Sequence, residues 1–133
     1  MRVELVDIGS TPEGDTIVVQ FESAVGAGRG RWGSEKHPKI GERYSVELDV
    51  DGGISKYRPE FVDAAVAASI CVTQGHTVLC GLLEAVDPDG MGYLRLGADC
   101  LVMIEIDMDR AETGSWVRLK VPQMELELTP ISL

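Results

Sequence analysis

The residues that could bind a metal ion or act as nucleophiles are few and widely separated. The cysteines are Cys71, Cys80 and Cys100, and the histidines are His37 and His76. Structural zinc sites combine Cys and His ligands in closely spaced pairs, and no pair here has that spacing. An odd number of cysteines also argues against a fully paired disulfide framework. We therefore expect free thiols that pack as small hydrophobic groups, with no metal and no cofactor.

Two acidic, glycine-containing segments match calcium-binding loops only in part. Asp49, Asp51 and Glu60 have the spacing of positions 1, 3 and 12 of an EF-hand loop, but Ile54 stands at position 6, where glycine is required. In residues 87–98 the sixth position is a glycine, but the twelfth, which should be acidic, is an alanine. Both segments are more typical of β-turns, so no calcium site is expected.

No segment has the pattern of an active site. Catalysis needs a nucleophile or a base with an orienting partner, and none of the scattered serines lies in a G-x-S-x-G motif. The run Gly26–Gly30 does not continue into the G-K-[ST] ending of a phosphate-binding loop, and no helical pattern follows it. We therefore expect that the protein is not an enzyme.

The charge balance limits the partners. The chain has 133 residues and a formal net charge of −10. Nucleic-acid binding depends on Lys and Arg neutralising phosphates, so nucleic acid and anionic membrane surfaces are not expected partners. An acidic protein is suited to a basic protein partner, because complementary charge accelerates association.

The acidic residues are concentrated in one part of the chain. Residues 59–112 hold ten acidic and two basic residues, whereas residues 29–58 hold five acidic and seven basic ones. Interfaces combine such charged groups with an aromatic anchor, for which Trp32 and Trp116 are the candidates. Trp116 is expected to be a strand residue that packs on the barrel, so Trp32 is preferred. The candidate partner-binding residues are Trp32, Glu84, Asp87, Asp89, Asp107, Asp109 and Glu112.

The elements that must position these residues are mostly strands. Apolar and polar residues alternate over Arg43–Val50 and over residues 100–106, which is typical of half-buried strands. Residues 2–8 with 16–22, and 70–73 with 77–86, predict two hairpins. Further strands are expected at the end of the chain and after the turn at residues 87–90.

Two segments do not follow the strand pattern. Residues 24–41 contain five glycines and a proline without any apolar period, which predicts a long loop that carries Trp32. Residues 59–68 are rich in alanine and begin with Pro59 and Glu60. That composition predicts one short helix.

Eight or nine short strands predict an all-β fold, a small antiparallel β-barrel or a sandwich, as one domain over residues 1–133. No apolar run reaches the ~20 residues of a membrane-spanning helix. The first residues lack the pattern of a secretory signal. A cytoplasmic location is therefore expected.

Five short segments carry a resemblance to a known family. In chain order they are Trp32–Gly33, residues 41–48, 79–84, 94–97 and 114–117. Together they resemble small OB-fold-like immunity proteins of bacterial polymorphic toxin and contact-dependent growth inhibition systems. The resemblance implies an OB-like barrel that binds and neutralises a cognate toxin, of which many are basic nucleases. It implies no particular site residues, because each immunity protein binds its own toxin differently. The alternative is a non-enzymatic ligand-binding or assembly domain.

Overall fold

The computed structural model describes residues 1–63, 67–109 and 111–131, and nearly all of its regular elements are strands. Two short 3₁₀ turns cover Ile54–Tyr57 and Gln123–Glu125. The strands are β1 (Arg2–Ser10), β2 (Ile17–Ser23), β3 (Gly26–Trp32), β4 (Arg43–Val50), β5 (Glu60–Val62), β6 (Ser69–Thr73), β7 (His76–Val86), β8 (Met91–Gly97), β9 (Cys100–Glu105), β10 (Trp116–Pro122) and β11 (Leu126–Pro130).

Five of these strands close into a barrel. β1 pairs with β2, β2 with β3, β3 with β11, β11 with β4, and β4 with β1. All of these pairings are antiparallel except that of β3 with β11, which is parallel. A closed five-stranded barrel of this kind is OB-like. The all-β prediction is confirmed, and of the two expected architectures the barrel is the correct one.

The chain between β4 and β11 forms a second sheet beside the barrel. Its central strand is β7, with β10 along one side and β6 followed by β8 along the other. β5 extends the sheet beyond β10, and β9 extends it beyond β8. The sheet meets the barrel where Gly26 of β3 pairs in parallel with Ile70 of β6.

One hydrophobic core is shared by the barrel and the second sheet. Phe21 and Leu128 enter it from the barrel, and Leu79, Leu94 and Leu119 enter it from the sheet. The alternating sequence pattern that predicted β4 and β9 matches the alternation of buried and exposed side chains along these strands. In β9, for example, every second side chain points into the core.

The loop predicted for residues 24–41 is wrong over its first half, because Gly26–Trp32 form β3. Its glycines are required by packing. A Cβ built at Gly28 would lie 2.4 Å from the ring of Phe21, and one at Gly30 would lie 2.6 Å from the carbonyl oxygen of Leu126. Glycine therefore lets β3 approach the core and β11 closely. Trp32 ends this strand and is not on an exposed loop.

The helix predicted for residues 59–68 is also wrong where the structure describes it. Glu60–Val62 form β5 and pair with Trp116, Val117 and Arg118 of β10. Pairing with a neighbouring strand thus outweighs the local preference for helix. Residues 64–66 of the predicted helix lie outside the described residues.

Candidate protein-binding surface

The two acidic loops lie side by side at one end of the second sheet. The turn at residues 87–90 connects β7 to β8, and residues 106–109 follow β9. The backbone N–H of Ile106 donates a hydrogen bond of 2.7 Å to the carbonyl of Gly90, which holds the two loops together. The structure therefore brings the predicted residues Asp87, Asp89, Asp107 and Asp109 onto adjacent loops, a group we call the acidic end.

Asp87 also shapes the loop it stands on. Its Oδ1 accepts hydrogen bonds from the backbone N–H groups of Asp89 at 3.0 Å and Met91 at 2.9 Å. Its Oδ2 accepts the hydroxyl of Tyr93 at 3.2 Å. This is how Asp stabilises a tight turn, so Asp87 is a structural residue as well as a charge.

Asp107 is held in place by Ser55. Its carboxylate accepts the Ser55 backbone N–H at 2.9 Å and the Ser55 hydroxyl at 2.6 Å. These hydrogen bonds favour the charged form and lower the pKa of Asp107 below its usual value. The side chain of Asp107 is nevertheless exposed, as are those of Asp89 and Asp109.

The two predicted glutamates differ in their surroundings. Glu84 of β7 binds Arg95 of β8, with a shortest distance of 2.9 Å, so its charge is partly neutralised. Glu112 is exposed in the loop before β10. Its backbone carbonyl accepts the N–H of Ser115 at 3.1 Å. Both glutamates are exposed, and Glu112 lies close to the start of β10.

Trp32, the predicted aromatic anchor, is almost entirely buried, with 7% of its surface exposed. Its indole N–H donates to the Lys36 carbonyl at 2.8 Å. Its ring meets the ring of Tyr44 edge to face, with centroids 5.1 Å apart. These contacts belong to the barrel, so Trp32 presents little surface to a partner.

An apolar face beside the acidic end was missed by the sequence reasoning. Leu101 and Met103 point outward from β9 and are 40% and 50% exposed. The strand register places Met103 opposite Tyr93, and Leu101 opposite Arg95. Tyr93 in turn lies opposite Ala85 of β7. We call the outward side chains of Tyr93, Leu101 and Met103 the apolar face.

A sequence signal for this face existed. In the alternation of β9 the buried positions are apolar, but Leu101 and Met103 occupy the outward positions, where polar residues are typical. Large apolar side chains on the outward side of a half-buried strand mark a candidate contact surface.

The three cysteines are free thiols. Cys71 is exposed, whereas Cys80 and Cys100 are buried. Burial raises the pKa of Cys80, and it raises the pKa of Cys100 to about 11. The expectation that each cysteine is buried is therefore wrong for Cys71, which faces outward from β6.

We expect a thiol reagent such as dithionitrobenzoate to modify the native protein at one fast site, Cys71. Reactivity requires an accessible thiolate, which burial denies to Cys80 and Cys100. The unfolded protein should react at all three cysteines. Stopped-flow absorbance measurements on Cys71→Ser provide the control, and a remaining fast phase in that variant would contradict the assignment.

The described residues include no group of three or more His, Cys, Asp or Glu side chains placed to hold a metal ion. Within the same residues, no helix has the length and apolar character needed to cross a membrane.

Together, the fold and these surfaces define an OB-like all-β barrel enlarged by a second sheet. Comparison with models of known protein families, with curated proteins and with solved structures gives no match.

Proposed function

We propose that this protein is a non-enzymatic binding protein that docks a basic protein through the acidic end and the apolar face. The supporting observation is their adjacency: Tyr93, opposite Met103 on the apolar face, donates its hydroxyl to Asp87 of the acidic end. An apolar centre beside a charged rim is the usual composition of a protein interface.

The two parts of this surface have different roles. Exposed carboxylates attract a basic partner at long range and orient it, so they act mainly on the association rate. Tyr93, Leu101 and Met103 lose water on docking, so they act mainly on the dissociation rate. A partner with exposed Lys and Arg around an apolar patch complements both parts.

Within that class, we propose a toxin domain as the partner and neutralisation of the toxin as the function. The net charge of −10 and the resemblance to OB-fold-like immunity proteins support this assignment. Inhibition requires only that the docked surface cover the toxin's active site, and it needs no chemistry from this chain. The proposal places both proteins in the cytoplasm of the producing cell. Nucleic acid and membranes are not partners in this proposal.

The charge contribution is tested with the double variant Asp89→Lys and Asp109→Lys. These two exposed carboxylates are chosen because Asp87 and Asp107 also hold their loops, and changing them would alter the fold locally. We expect the association rate to fall by about tenfold or more at low salt, and the difference to shrink as salt screens the charges. The dissociation rate should change little. Surface plasmon resonance over a salt series measures both rates.

A matched control changes two exposed acids on barrel loops, Glu13→Lys and Glu35→Lys. This variant has the same net charge as the test variant. An equal fall in association rate for both variants would show that only net charge matters, and would contradict the acidic end as a docking site.

The partner itself is tested by co-purification with the product of a neighbouring toxin gene. We expect a stable complex and restored growth when both are expressed together. A well-folded protein that neither binds the toxin nor rescues growth would refute toxin neutralisation. Binding of a different basic protein at the same surface would instead support an assembly role.

A further inference from the structure

A basic cleft lies on the outer side of the second sheet, where β5, β6, β7 and β10 meet. It consists of two adjoining hollows of about 330 and 320 Å³. Arg58, Glu60 and Lys120 line both hollows, so the two hollows adjoin, and we call them together the groove. Each is within the size range of small-molecule sites.

The charge of this groove is opposite to that of the protein as a whole. Four of the chain's twelve lysines and arginines line it: Lys56, Arg58, Arg118 and Lys120. It also contains two carboxylates. Glu60 lies 3.6 Å from Arg118, and Glu125 is in contact with Lys56. Each carboxylate is paired with one of the four cations, so the formal charge of the groove is positive, although the net charge of the chain is −10.

Arg58 and Lys120 differ from most of the other cations. Within the described residues, neither has a carboxylate oxygen within ion-pair distance. Elsewhere, Arg29, Arg31, Arg43 and Arg95 are matched with carboxylates at 4.0 Å or less. Within the described residues Arg2, Lys36 and Lys39 also have no such match, but these three do not line the groove. Two cations without such partners face one groove, which leaves their charge available to a ligand.

The floor of the groove is built from three paired strands. The register places Arg118 beside Cys80 and Lys120 beside Val78. Across β7, Cys80 lies beside Ser69 of β6. The lining also includes the hydroxyls of Ser69 and Thr73, so neutral hydrogen-bond donors accompany the cations.

The backbone of Arg58 supports a functional role for its side chain. Arg58 has φ +48° and is the only non-glycine residue with positive φ in the described chain. It follows the 3₁₀ turn Ile54–Tyr57, where glycine would adopt the left-handed conformation at lower cost. Strained residues of this kind are concentrated at binding sites. The arginine at this position lines both hollows of the groove.

We propose that this groove binds a small ligand that carries a compact, multiply charged oxyanion, either a phosphate group or a cluster of two or three carboxylates. Guanidinium binds both groups through paired hydrogen bonds, and Lys120 adds a point charge. Arg58 and Lys120 are the specificity-determining residues. No residue that lines the groove belongs to the acidic end or to the apolar face, so the proposal holds whether or not the protein docks a toxin.

The test is a titration of the isotope-labelled protein followed by ¹H–¹⁵N NMR, with inorganic pyrophosphate in one series and citrate in another. We expect saturable shifts of the amide signals of residues 69–73, 78–80 and 118–120 below about 10 mM ligand. Saturation with pyrophosphate alone would assign a phosphate ligand, and saturation with citrate alone would assign a carboxylate ligand. No saturable shift with either probe would refute the proposal.

Arg58→Gly is the decisive variant, because glycine fits the local backbone and the fold should be kept. We expect its melting temperature to be unchanged or higher, and its affinity for the probe to fall by about tenfold or more. Lys120→Gln should weaken binding in the same way. Arg43→Gln, which removes a cation paired with Glu4 on the barrel, is the matched control and should bind normally. Equal affinity in Arg58→Gly and the parent protein, or equal loss in Arg43→Gln, would overturn the assignment.

Discussion

Replacing Gly26 by alanine should strongly destabilise the protein, although the change adds only one methyl group. Gly26 has φ +132°, a conformation that residues with a side chain rarely adopt. A Cβ at this position would lie 1.9 Å from the carbonyl oxygen of Ile70. Backbone atoms cannot move aside as a flexible side chain can, so β3 and β6 would have to separate.

The position of Gly26 explains the size of the expected effect. Its pairing with Ile70 is the β-bridge between barrel and second sheet, and the Ile70 N–H donates to the Val25 carbonyl at 2.9 Å beside it. Separating the strands would also disturb the core side chain of Ile70. We expect a loss of about 3 kcal/mol or more in the free energy of unfolding, measured by urea denaturation.

Gly9→Ala is the control for this variant. Gly9 also lies in a strand, but its φ is not positive and a Cβ there meets no atom within 4 Å. Alanine should therefore be neutral or stabilise the protein by about 0.5 kcal/mol through the unfolded state. Similar stability for Gly26→Ala and Gly9→Ala would show that the close approach of β3 to β6 is absent in solution.

Strands β4 and β3 show where prediction from the sequence succeeds and where it fails. The sequence predicts strand β4 with its observed bounds, Arg43–Val50, because its alternating side chains carry the signal of a half-buried strand. Strand β3 escapes prediction because glycine has no side chain to alternate, and glycines are usually read as turn residues. The requirement for Gly28 comes from Phe21 on the neighbouring strand β2, and that for Gly30 comes from Leu126 near the other end of the chain. The pattern within residues 26–32 shows neither contact.

The candidate surface is predictable to a similar, limited extent. Charge counting identifies the acidic loops, and the structure places them side by side. Charge counting cannot show that Asp87 accepts a hydrogen bond from Tyr93 and Asp107 one from Ser55, because those partners are brought together by tertiary contacts. The basic groove has no sequence signal, since Arg58 and Lys120 are far apart in the chain and become neighbours only through the pairing of β10 with β5 and β7.

Trp32→Ala should lower stability and leave partner binding unchanged. The side chain is 7% exposed, and truncating a buried tryptophan to alanine costs about 3–5 kcal/mol because a cavity remains. The edge-to-face contact with Tyr44 and the hydrogen bond to the Lys36 carbonyl are lost as well. We expect a strongly lowered urea midpoint and, for the folded fraction, an unchanged dissociation rate from a basic partner.

Met103→Ala is the complementary variant and should behave in the opposite way. Met103 is 50% exposed on the apolar face, so its truncation should change stability by less than about 0.5 kcal/mol. It should raise the dissociation rate by about tenfold if the face docks a partner.

Trp32→Phe keeps most of the buried ring and should recover much of the stability lost in Trp32→Ala. A faster dissociation in both tryptophan variants, with normal kinetics for Met103→Ala, would move the interface from the second sheet to the barrel around Trp32.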